Sequence, residues 1–168
     1  MKFRALLSAL LLAAGLVCVT YAGETKPASP SEVLKKFVAA MREQDFTAMA
    51  NLSYGQRRAE SLRVVDAMKQ LKAAADSGDE KSKNELALLN QMLNDVKVGM
   101  QKVKVDIKLE KIEGDLAEVD AAVSGTSDNK VVARQCYFKK VNGEWKVINA
   151  ADYKAEKAKT EKAQPVKK

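Results

Sequence analysis

The spacing of large apolar residues changes once along this chain, at Gly99, and no other feature so limits what the chain can fold into. Before it, Val64, Met68, Leu71 and Ala75 return at steps of three and four, joined by Leu62 and Val65. After a break at Ser77-Gly78-Asp79 the same spacing resumes with Leu86, Leu89, Leu93 and Val96. Such steps keep one face of a helix apolar, so residues 56–96 are predicted to form a helical hairpin folded against the rest of the domain. Beyond Gly99, Val103, Val105, Ile107 and Leu109 alternate with Lys102, Lys104, Asp106 and Lys108. A step of two marks a strand with one face on a core and the other in water.

Three further strands follow by the same reasoning. In "LAEVDAAV", Ala117, Val119, Ala121 and Val123 form the apolar side. For that set to share a face with the first strand's, the loop around Glu113-Gly114-Asp115 must hold an odd number of residues. Looping Glu113 to Asp115 pairs Leu109 with Val119 and Lys108 with Asp120. Looping Ile112 to Gly114 puts Gly114 where a positive φ is wanted and sets Asp106 opposite Asp120. Either choice is an antiparallel hairpin. "SGTSDN" turns the chain into a third strand, "KVVARQCYFKK", and Asn142-Gly143 predicts a two-residue hairpin into the last one. In that register Lys140 lies opposite Trp145, Phe138 opposite Val147 and Cys136 opposite Asn149. Val132, Arg134, Cys136, Phe138, Trp145 and Val147 then face the helices.

The segment "SPSEVLKKFVAAMREQDFTAMANL" supplies the helix for that face. Ser29 as cap, Pro30 at the first helical position and Glu32 three residues past the cap form a capping box. Val33, Leu34, Phe37 and Met41 then share one face, and Asp45 caps a short second helix ending near Leu52.

The ends have different characters. Lys2 and Arg4 precede an apolar run from Ala5 to Val19, and Thr20-Tyr21-Ala22 is a small-x-small cleavage pattern. Residues 1–22 are therefore expected to be a signal peptide cut between Ala22 and Gly23, which makes the protein exported, periplasmic or secreted. The run is shorter than the roughly 20 residues of a membrane span, so no transmembrane segment is expected in the mature chain. Residues 23–28 read as a linker and residues 29–153 as one domain. Residues 154–168 carry six lysines but no large apolar residue before Val166, and are expected to be a disordered basic tail.

The net charge of +7 matters only through its location. Two units sit in the signal and four in the tail, which leaves +1 for residues 23–153. A nearly neutral domain lacks the basic face that phosphate backbones require, so nucleic acid is not an expected partner. No histidine is present, which removes Ser-His-Asp and Cys-His nucleophile systems and histidine metal sites. Nothing resembles a calcium loop, and no cofactor is expected. With Cys18 in the signal, Cys136 is the only mature thiol, so the core must stabilise the domain without an internal disulfide.

Three stretches carry a family resemblance: "FVAAMREQDFTAM", a Phe-x-x-Ala helix ended by Asp-Phe; "EGDLAEV", a turn leading into alternating apolar residues; and "NGEWKV" on the last strand. With their order and spacing, residues 29–149 resemble the nuclear-transport-factor-2-like (cystatin-like) superfamily, in particular small secreted bacterial members classed as a domain of unknown function. The resemblance implies an α+β fold, with N-terminal helices packed in the concavity of a curved antiparallel sheet and a small apolar ligand in the mouth of the cone. It also implies pairing of two copies through the outer sheet face. Some members are isomerases or dehydratases and others are binding or assembly modules, so fold alone does not choose an activity.

A ligand in that mouth would meet Phe37, Met41, Arg134, Phe138 and Trp145, and a non-enzymatic binding or assembly module is the leading expectation. Trp145 either fills the core or walls the pocket. Arg134, on the inner face, needs a carboxylate or a bound anion unless it reaches water. An isomerase would need an inward carboxylate, but Glu118 and Asp120 fall on the wet face. A third reading makes Lys154 to Lys168 a weak adhesive for anionic surfaces.

Overall fold

The computed structural model describes residues 27–125 and 131–163. The expected signal, its cleavage point at Ala22 and Gly23, most of the linker, the turn at 126–130 and the last five residues lie outside them. Five helices and one sheet follow in chain order: α1 (Pro30–Glu43), α2 (Phe46–Asn51), α3 (Gly55–Asp76), α4 (Glu80–Gln101), β1 (Lys104–Glu113), β2 (Leu116–Ser124), β3 (Val132–Val141), β4 (Glu144–Ile148) and α5 (Ala150–Ala163). The strands lie in the order β1-β2-β3-β4, each antiparallel to its neighbour. The fold is α+β, as the change of period requires. Among the described residues no helix is long and apolar enough to cross a membrane.

Helix α1 begins with the predicted capping box: Ser29 N–H donates to Glu32 Oε2 at 2.8 Å, and Glu32 N–H to Ser29 Oγ at 3.2 Å. Val33, Leu34 and Phe37 pack on Ala117, Val119, Ala121, Phe138, Trp145 and Val147 from the sheet, and these nine residues are the main core. Asp45 caps α2 through Ala48 N–H at 2.8 Å. The following segment lies along the free edge of β4, with Val147 N–H donating to the Leu52 carbonyl at 2.8 Å and Tyr54 N–H to the Val147 carbonyl at 3.0 Å. That edge is thus closed to another strand.

The first hairpin departs from both expected registers. Glu113 pairs with Leu116, so the loop is the two residues Gly114 and Asp115, and the odd residue sits in the strand as a bulge at Lys108. Ile107 pairs with Ala121 before the bulge, and Leu109 with Asp120 after it. The bulge restores parity that an odd loop would otherwise have supplied, and it reverses the facing of everything beyond. Leu109 is consequently exposed on the outer face. Glu110 turns inward, opposite buried Val119, and its carboxylate accepts from the Ser31 N–H at 2.8 Å and from the Ser31 hydroxyl. At the other end of β2, Gly125 has φ +84, and a Cβ there would land on the Lys102 carbonyl oxygen. Only glycine lets β2 pass the end of α4 so closely. The Asn142-Gly143 turn forms as expected, both residues at positive φ, with Lys140 opposite Trp145 and Phe138 opposite Val147.

Two expectations are corrected. The α3–α4 hairpin forms, but it is not folded into the core: of its residues only Ser61, Ala75 and Ser82 are buried, and Leu88, Met92 and Val96 are more than half exposed. The apolar face of a four-stranded sheet is already covered by α1, so the hairpin helices pack on each other and on α2, with smaller contacts to α1 and β4. The segment 154–168 is not a disordered tail through its length, because α5 begins at Ala150, continues to Ala163 and lies on the outer face of the sheet. Tyr153, just before the expected boundary, anchors it by packing on Leu116, Ile148 and Tyr137, its ring centroid 4.7 Å from that of Tyr137. Two of its residues also make ion pairs with the sheet, Glu156 with Lys139 at 2.7 Å and Lys157 with Glu113 at 3.5 Å. Part of the outer face proposed for pairing of two copies is therefore occupied by the chain itself.

Burial of the Tyr153 phenol, followed by its hydrogen bond to the Glu118 carboxylate, pushes its pKa above the ordinary 10.0. A folded value above the unfolded one means this group's stabilisation is full below about pH 10 and is lost as the pH rises above it. Melting temperature is accordingly expected to fall between about pH 10 and 12, and Tyr153→Phe to flatten part of that fall. An unchanged slope in the variant would place the alkaline loss elsewhere.

Candidate functional site

Between α1 and the inner face of the sheet, beside the base of the hairpin, lies an open cleft of about 500 Å³. Its lining is drawn from both ends of the chain, with Val147 and Ile148 of β4 and Ala150 of α5 at one edge. Helix α1 gives Phe37, Val38 and Met41; the α4–β1 junction gives Met100, Val103 and Val105; β2 gives Ala121 and Val123; β3 gives Arg134 and Cys136; and the first turn of α3 gives Arg57. The cleft exists because β4 ends at Ile148 while β3 runs on to Val132, leaving one end of the inner face without a fourth strand.

The five residues expected to share one mouth separate here. Phe37, Met41 and Arg134 line the cleft. Phe138 is wholly buried in the core beneath it. Trp145 belongs to the same core at 8% exposure, and its remaining edge faces a second cleft with Pro27, Lys36, Leu52 and Glu144. The reason is the hairpin geometry: Trp145 lies beside the Asn142-Gly143 turn, at the far end of β4 from the open corner. Trp145 is thus a core residue in this fold, with the Lys140 ammonium 5.8 Å from its ring.

Arg57 and Met100 are lining residues that sequence reasoning missed. Nothing in the sequence distinguishes Arg57 from the charged residues around it, since its position depends on how α3 leaves β4. Tyr54, at the cap position of α3, makes no side-chain cap bond; instead Asp152 of α5 accepts from the Gln56 N–H at 3.1 Å. Gly55, at φ +61, leaves room for that carboxylate. The first turn of α3 is thereby held over the cleft with the Arg57 guanidinium 5.1 Å from the Phe37 ring centroid.

The cleft lining is mainly apolar, and among the described residues its charged side chains are Arg57 and Arg134. Burial raises the pKa of the Cys136 thiol above its ordinary value, and the two nearby guanidinium groups partly offset this. A protonated thiol is a poor nucleophile, so Cys136 has the character of a packing residue at the cleft wall. Glu118 and Asp120 sit on the outer face opposite Tyr137 and Gln135, with Gln135 Nε2 donating to Glu118 at 3.0 Å. No carboxylate from the described residues lines the cleft. Among those residues there is also no group of three or more His, Cys, Asp or Glu that could hold a metal.

No family model matches the chain, and no curated protein matches it in sequence. Two solved structures are similar. One is a Campylobacter jejuni protein described as an NTF2-like transpeptidase, 12% identical, with 73% of this chain covering 99% of that one at a TM-score of 0.41. The other is a SEC-C motif containing protein from Rhodopseudomonas palustris, 14% identical, with 72% of this chain covering 76% of that one at a TM-score of 0.43.

Proposed function

We propose that the protein is an exported, non-enzymatic binding module that holds a small, largely apolar ligand in the cleft between α1 and the inner sheet face. The observation that carries this reading is the cleft itself: about 500 Å³ of open volume, walled mainly by Phe, Met, Val and Ala side chains, next to a fully packed core. That volume falls in the range of small-molecule sites. An isomerase working by proton abstraction would need a base facing the substrate, whereas Glu118 and Asp120 lie across the sheet from the cleft. The adhesive reading of the basic end loses force because Lys157 and Lys159 of α5 are paired with Glu113 and Glu156.

Cys136 supplies the test. Its half-buried thiol is expected to react with iodoacetamide at pH 8 several-fold more slowly than an unhindered cysteine. Native mass spectrometry of protein taken gently from its host should show a bound small molecule. Removing that molecule should speed alkylation, and restoring it should slow it. An empty protein whose thiol is indifferent to every apolar compound offered would end this reading.

A further inference from the structure

The apolar walls of the cleft enclose an unusual charge arrangement. Its two charged lining residues are both arginines, they come from different elements, and they are not sequence neighbours. Arg57 projects from α3, half-buried against the face of Phe37, and Arg134 projects from the inner face of β3 opposite Ala121. Among the described residues neither guanidinium has a carboxylate within 4.0 Å, although ion pairs are frequent elsewhere on the surface. Both lie close enough to Cys136 on the cleft wall to act on its titration. The Arg57 guanidinium lies over the Phe37 ring, 5.1 Å from its centroid, a contact to the face of the cation that leaves its N–H edge for an anion.

Two like charges on an apolar wall, Arg57 half-buried and Arg134 at the exposed rim, form an arrangement that a ligand oxyanion would neutralise. We infer that the cleft takes an amphipathic anion, an apolar body carrying one carboxylate or phosphate group, with the anionic group held between Arg57 and Arg134 and the body against Phe37 and Met41. This rests on the cleft being a ligand site and adds the ligand's chemical class. Phe37 then has two roles, since its ring meets both the Arg57 plane and the ligand body.

The test compares decanoate, decyl phosphate and decanol by calorimetric titration, each below its micelle concentration, with the full mature chain and its Arg57→Gln and Arg134→Gln variants. Arg134 is exposed, so its replacement leaves the fold intact, and thermal melting verifies both variants. Decanoate or decyl phosphate is expected to bind at least tenfold more tightly than decanol, and each variant to lose about tenfold for the anions while binding decanol unchanged. Rising salt should weaken the anions only. The tighter of the two anions indicates whether a free acid or a phosphate ester is the better fit. Equal affinity for all three compounds, unaltered in both variants, would overturn the anion site and leave the apolar cleft standing. No binding of any of them would remove both.

Discussion

Deleting residues 150–168 is expected to lower the stability of this protein by about 3–5 kcal/mol, although residues 154–168 read in the sequence as a solvated tail. The deletion removes Tyr153, 5% exposed, from its place against Leu116 and Ile148, which are otherwise buried at 6% and 1%. It also removes Asp152, whose carboxylate caps α3, a contribution of roughly 1 kcal/mol. The ion pairs of Glu156 and Lys157 add little, because exposed pairs contribute at most about 1 kcal/mol. A fall in melting temperature of about 10 °C or more is the expected reading. A truncated protein that melts where the full chain does would show that α5 contributes nothing to the sheet. Because Asp152 also positions Arg57, the truncation should weaken ligand binding in the cleft at temperatures where the protein remains folded.

Phe138→Ala should cost about 3–5 kcal/mol, a large part of the roughly 5–15 kcal/mol that holds a domain of this size together. Its ring is wholly buried, flanked across the strands by Ala117 and Val147 and covered by α1. Ala117 is too small to fill the space, and Val147 is held by its backbone bond to Leu52, so the cavity cannot close cheaply. The urea midpoint, followed by emission from buried Trp145, should shift strongly with little change in slope. An unaffected midpoint would mean that α1 and the sheet are not packed as described. Cys136→Ala, at the half-buried cleft wall, removes fewer contacts and should cost distinctly less.

These two predictions rest on different kinds of information. Phe138 was legible as an inward residue because Asn142-Gly143 defines the register of the last hairpin and strand alternation does the rest. Tyr153 was not. A single aromatic among Ala, Asp, Lys and Glu gives no helical face, and only the position of Leu116 and Ile148 on the outer sheet provides something for it to cover. The candidate site divides in the same way. Phe37, Met41 and Arg134 follow from periodicity, whereas Arg57 enters the cleft through a cap in which Asp152 accepts from Gln56, 96 positions away in sequence.

Local patterning in the sequence specifies the order of elements from α1 to β4, the capping box of α1, the last hairpin and the inner-facing set on β2 to β4. All of these depend on interactions between residues a few positions apart, or on the two periods that distinguish a helix from a strand. Tertiary structure alone decided where the odd residue of the first hairpin goes, because a loop and a bulge satisfy the same parity and only packing beneath β1 separates them. It also decided that the α3–α4 hairpin stays largely outside the core and that α5 seals the outer face, since available surface is a property of the assembled sheet. The two arginines of the cleft meet for the same reason: their elements are distant in the chain and are brought together only when the sheet and helices have packed.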